Sequence, residues 1–178
     1  HGMYWSSSND FTEAMYYRLA QAVSFSNSFI KNASELSGDE VNVFIAEARF
    51  LRAYAYYNLL DLYGNVPLTT EISTDLPTQS NRTELFNFIE SELMEIESIL
   101  LASNEYGRVD NVAAHALLSR LYLNAEAWTG QDRYADCITY SQNVINSGYT
   151  LNMNDANGNG TAYDELFMAD NDVNGAQN

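Results

Sequence analysis

The sequence predicts an all-α fold of antiparallel helical hairpins that runs out into a loop-rich C-terminal segment. Three observations predict it. No alternation of apolar and polar residues long enough for a sheet occurs before position 149, and apolar residues recur at three- and four-residue spacing in successive runs. Small residues also stand beside Leu and Tyr where two helices must approach closely: Ala46, Ala48, Ala53 and Ala55 in one run, and Ala113, Ala114, Ala116 and Ser119 in another.

The first helix is signalled by Asp10 as N-cap with Glu13 three residues on, followed by Phe11, Met15, Leu19, Ala22, Val23, Phe29 and Ile30, and should run to about Ala33. A long second helix begins near Asp39 and carries Val43, Phe44, Ala48, Leu51, Ala55, Leu59 and Leu62. Gly64 supplies its stop and Pro67 forbids resumption. Residues 65–80 hold both prolines among Thr and Ser, which marks an extended connector. Asn81 and Glu84 then form a capping box for a third helix, whose apolar stripe is Leu85, Phe88, Ile89, Leu93, Ile96 and Leu100. Its Glu90, Glu92, Glu95 and Glu97 read as a solvated acidic face. A fourth helix starts near Asp110 and is apolar over much of its circumference, so it should be the most buried. A fifth occupies 131–146 and ends at Ser147-Gly148, after which Tyr149-Thr150-Leu151 is a short strand candidate. Helices two with three, and four with five, are expected to pair as hairpins.

Composition narrows the function classes. Of 178 residues, 46% are hydrophobic, enough for the core of about one domain. Eight Lys and Arg against 24 Asp and Glu give a net charge of −16, so the summed field repels phosphate backbones and anionic lipid, and nucleic acid is excluded as a partner. Cys137 is the sole cysteine, which rules out an intrachain disulfide and a multi-thiolate metal site. No run approaches the roughly 18 to 20 apolar residues of a membrane-spanning helix. The chain opens on His1-Gly2-Met3 and closes on a polar run from Asp170 to Asn178, which is expected of a fragment of something longer. The division expected is residues 1–148 as the helical region and 149–178 as the loop-rich start of a further part.

Leu118, Ser119 and Tyr122, with Tyr134-Ala135 after the turn, fit a tetratricopeptide-like hairpin loosely. The run from Ala46 to Leu68, AEARFLRAYAYYNLLDLYGNVPL, is far more specific and resembles the signature helix of SusD/RagB-type glycan-binding lipoproteins of Bacteroidota. Gly107-Arg108-Val109-Asp110 leading into Ala114 to Leu123 resembles the next helix of that family. Tyr134-Ala135 to Gly148 and Tyr163 to Phe167 continue the match, so the resemblance covers most of residues 10–170.

The resemblance implies a SusD-like α-α superhelix in a surface-exposed, non-catalytic subunit of the outer membrane. Such a subunit captures oligo- or polysaccharide and hands it to a SusC-like TonB-dependent outer-membrane barrel. It implies no cofactor, and membrane association only through a lipid anchor absent from this chain, since family members open with an acylated cysteine and Cys137 lies in mid-helix. It also implies structural roles for Glu47, Arg49 and Arg52 on the signature helix and for Arg120 on helix four, as ties to neighbouring carbonyls and carboxylates.

Tyr4-Trp5 followed by Ser6 to Asp10 places an aromatic pair beside amide and carboxylate groups, the chemistry that a sugar ring's C–H face and hydroxyls require. The resemblance puts a sugar contact just before the first helix, which makes Trp5 the leading candidate, with Tyr4 and Asn9 behind it. Packing of Trp5 at the helix start, with Asn9 merely capping, is the competing reading. Asp155, Asn157, Asn159 and Gly160 satisfy the first half of an EF-hand loop, but the twelfth position is Leu166 and Glu165 comes one residue early. A plain Asn/Gly turn is therefore expected there, with calcium the weaker alternative. His115 reads as a core imidazole, because His1 is the only other histidine and no metal or triad spacing exists. No residue pair selects hydrolase chemistry, and a helical-repeat scaffold that binds a protein segment is the alternative function.

Overall fold

The computed structural model describes Ser6 and residues 9–173. Six helices follow in order: α1 (Asp10–Ala33), α2 (Asp39–Tyr63), α3 (Arg82–Ile96), α4 (Asn111–Leu123), α5 (Ala125–Thr129) and α6 (Tyr134–Ile145), and a single 3₁₀ turn, Asp164–Phe167, lies in the C-terminal segment. Among the described residues no strand forms; one isolated bridge joins Pro67 to Gln79. The fold is all-α.

Each long helix returns antiparallel on its predecessor. Tyr63 at the end of α2 donates to the Thr12 carbonyl at the start of α1 at 2.6 Å. The end of α2 meets the start of α3, where the Arg82 side chain crosses Gly64. Tyr122 at the end of α4 donates to Glu90 in the middle of α3, and Arg133, just ahead of α6, lies 4.7 Å over the Tyr122 ring. The core runs through the middle of this stack: Leu60, Leu85, Ile89, Leu93, Ile96, Leu118 and Leu121 are all buried, with Tyr56 and Tyr122 among them. Burial of such side chains, at about 1.5–3 kcal/mol each, is what holds the layers together. Ala46, Ala53 and Ala114 are buried.

Several expectations are corrected. The N-cap of α1 is Asn9, whose side-chain oxygen accepts from the Phe11 and Thr12 amides, while Asp10 is already helical. Both residues are good caps, and Asn9 has the extended backbone that the position requires. The expected pairings of α2 with α3, and of α4 with the later helix α6, do form, and α1 packs along α2 in addition. The fifth predicted helix begins later, at Tyr134, because the short α5 consumes Ala125–Thr129 and closes on left-handed Gly130. Tyr149-Thr150-Leu151 makes no strand: Tyr149 instead donates to Asp110 at 2.5 Å, tying the chain back to the start of α4. The capping box of Asn81 and Glu84 is formed with both halves in place.

Candidate functional site

The acidic face expected on α3 is only partly solvated. Glu92 is 5% exposed, because it sits at the contact of α3 with α2 and there accepts from two guanidiniums. Arg49 reaches Glu92 Oε1 with Nε at 3.0 Å and Nη2 at 2.6 Å, and Arg52 reaches Oε2 with Nε at 3.0 Å and Nη2 at 2.5 Å. Arg49 extends to Glu95 at 2.6 Å, and Arg52 Nη1 donates to Asn27 Oδ1 of α1 at 2.8 Å. Asn27 in turn donates to the Thr69 carbonyl of the connector at 3.0 Å. One carboxylate thus gathers α2 and α3, and the same arginine continues to α1 and the connector. Forked guanidinium–carboxylate bonds of this kind combine strength with fixed geometry. Burial works against the Arg49 charge, but the bonds to Glu92 and Glu95 outweigh it and hold its pKa above the usual value.

The other signature residues are equally engaged. Glu47 accepts from Arg108 at 2.7 Å and from Asn104 at 2.7 Å, which fixes the loop ahead of α4 against α2. Arg120 lies 5.3 Å over the Tyr57 ring, a cation–π contact, and Tyr57 meets Trp128 of α5 edge-on at 5.8 Å. A third cluster joins α3, α4 and α6: His115 Nε2 is 3.5 Å from Glu97 Oε2, and its ring is 5.6 Å from that of Tyr140. Burial, and then the Glu97 charge, push the Tyr140 hydroxyl up to about 12. Tyr122 is raised too, by burial and by its bond to Glu90.

The sugar-contact candidates Tyr4 and Trp5 lie outside the described residues. Asn9 is described, and its side-chain oxygen is spent on the helix cap. What the structure adds is the surface at the start of α1: Phe11, Met15 and Leu62 stand exposed around Thr12 and Tyr63 as an open apolar shelf of about 420 Å³. Periodicity alone placed Phe11 and Met15 on the inner stripe of α1; the shelf appears only once α2 is seen to end beneath them. In the C-terminal loop the calcium candidates face their own turn. Asp155 accepts from the Asn159 and Gly160 amides, and Asn157 Oδ1 from the Asn159 amide. Asn159 Oδ1 accepts from Thr161 N, and buried Glu165 accepts from Asn157 N at 2.8 Å. Among the described residues no group of three acidic, His or Cys side chains is arranged to hold a metal ion.

The surroundings of these elements match known proteins. A family model described as SusD-like, starch-binding and associating with the outer membrane, matches residues 3–123, which take in α1 to α4. The starch-binding protein SusD of Bacteroides thetaiotaomicron is 41% identical over 172 residues, covering 96% of this chain and 30% of that protein. A SusD superfamily protein from Parabacteroides distasonis superimposes with a TM-score of 0.76 at 28% identity, over 82% of this chain and 34% of its own. A laminarin-binding SusD-like protein does so with a TM-score of 0.75 at 25% identity, over 90% and 35%. The chain spans about a third of the length of these relatives.

Proposed function

The chain belongs to the SusD-like family, and from that premise we propose that it is the helical scaffold of a non-catalytic glycan-binding protein at the cell surface. The observation that carries this reading is the 41% identity over 172 residues to a starch-binding protein. Binding would rest on aromatic stacking and hydrogen bonds without a covalent step, with Trp5 as the stacking residue, assisted by Tyr4 and the polar residues up to Asn9. The apolar shelf of Phe11, Met15 and Leu62 stands at the start of α1.

In this reading the buried arginine clamp is a structural device. It fixes α1 against α2 and α3. The partner is a SusC-like TonB-dependent barrel in the outer membrane, against which the helices dock, with residues 149–178 opening a further part of the protein. No helix among the described residues is long and apolar enough to cross a membrane.

Affinity electrophoresis tests the reading. The full-length protein, run through gels containing amylopectin or laminarin, should be retarded by one of them, and Trp5→Ala should abolish the retardation. Migration unchanged by any neutral polysaccharide would overturn the proposal.

A further inference from the structure

We propose that the recess between α1 and the connector is a second carbohydrate subsite, one that does not depend on Trp5 and seats a short neutral oligosaccharide. The proposal rests on the glycan-binding reading above and adds a place and a ligand size to it.

The recess is built into the fold. The connector leaves α2, is pinned at Thr69, and arches over α1 before closing on itself. At the pin, Tyr56 Oη donates to the Thr69 carbonyl at 3.0 Å and accepts from the Thr69 amide at 2.7 Å, while Asn27 adds its own bond to the same carbonyl. At the closure, Pro67 bridges Gln79, the Ser80 amide donates to the Val66 carbonyl at 3.0 Å, and Gln79 Nε2 donates to the Asn65 carbonyl at 2.9 Å. Beneath the arch α1 presents Tyr16, Ala20 and Ser24, one above the other at four-residue spacing. The two small residues leave an opening of about 320 Å³. A cleft held open from both ends in this way needs no ordering when a ligand arrives.

Its walls select the ligand chemistry. Val23, Leu59 and Val66 give an apolar floor and Tyr16 an aromatic side, while Glu71 and Asp75 bring carboxylates and Ser24 a hydroxyl. No Lys or Arg lines it, so the recess offers acceptors to a ligand rich in donors and rejects anions, as does the net charge of −16. A pyranose ring meets both demands, with its C–H face on the floor and its hydroxyls toward the carboxylates. An ammonium ligand is disfavoured because both carboxylates are on the exposed arch, where solvent screens an ion pair, and an ammonium makes no use of the floor. The volume lies at the small end of ligand pockets, which limits the occupant to a few rings.

Hydrogen exchange read by mass spectrometry on the full-length protein, with maltotriose and laminaritriose as probes, tests this. One of the trisaccharides should slow exchange in peptides covering 69–77, both in the wild type and in Trp5→Ala. Ser24→Trp, which fills the opening from the exposed face of α1, should abolish that protection. Glu71→Gln, on the exposed arch where folding is not at stake, should weaken it only by up to about fivefold, as loss of a solvent-exposed charged acceptor requires. Protection confined to N-terminal peptides, or persisting in Ser24→Trp, would overturn the subsite while leaving the glycan-binding reading standing. Equal protection by butylamine would overturn the carbohydrate assignment. Absence of protection anywhere also overturns the subsite, and the polysaccharide gels then decide the broader reading separately.

Discussion

Arg52 of α2 and Glu92 of α3 meet at 2.5 Å with both side chains 7% exposed, forty residues apart in the chain. Neither charge has water to fall back on. The pair holds because each remaining polar atom is also satisfied: the other Glu92 oxygen by Arg49, and the far side of Arg52 by Asn27. Removing one partner therefore costs more than the pair is worth, because it strands the other charge in the interior.

Glu92→Ala should lower stability by about 3–5 kcal/mol, the range expected when a buried ion pair loses one member. Glu95→Ala, which takes away an exposed partner of Arg49, should cost about 0–1 kcal/mol. Denaturant unfolding of the two variants measures the contrast. Similar small losses for both would mean that Glu92 is solvated in solution.

Gly64 ends α2 at φ +77° and ψ −96°, a conformation that L side chains rarely adopt, and a Cβ there would lie 2.7 Å from Arg82 Nη2. Gly64→Ala should cost about 1–3 kcal/mol. Because the strain is in the backbone and the arginine tip can move aside, adding Arg82→Ala should not restore the loss. Full rescue in the double variant would assign the cost to the clash.

Asn9 caps α1 through its side-chain oxygen, and Asn9→Ala should destabilise by about 1 kcal/mol. Asn9→Asp keeps an acceptor and should hold the melting temperature. If polysaccharide retention falls in Asn9→Asp while stability stays, the amide group contacts sugar; if both stay, capping is its whole role.

Burial and the Glu97 charge raise the Tyr140 pKa from 10.0 to about 12. The folded state thus holds this proton more tightly than the unfolded chain does. The associated stability is complete below about pH 10 and is lost as pH rises toward about 12. Tyr140→Phe should flatten that part of the alkaline stability profile and remove a late component from the tyrosinate absorbance titration. An unchanged profile would mean that Tyr140 ionises at its ordinary value.

The parts of the fold that local chemistry dictates were legible in the residues. The Asn81 and Glu84 box and the stop at Gly64 were placed correctly because caps and glycine turns act within four residues. Asn9 was missed as the cap in favour of Asp10, since two adjacent residues with the same capping ability differ only in backbone conformation. The short α5 was missed because five residues carry too little periodicity to register. The recess under the connector was invisible for a different reason: Ala20 and Ser24 read as ordinary helix positions until the pins at Thr69 and Gln79 set the arch above them.

The sequence by itself determined where the long helices lie, that they stack as antiparallel hairpins, and which family the signature run from Ala46 to Leu68 belongs to. Each of these depends on residues close together in the chain. Only the tertiary structure decided which charges are interior. Glu90, Glu92, Glu95 and Glu97 look alike along α3, yet Glu92 alone among them is buried, between two arginines that approach from another helix. The state of a carboxylate is set by desolvation and by partners within a few ångströms, and neither is a property of its own segment.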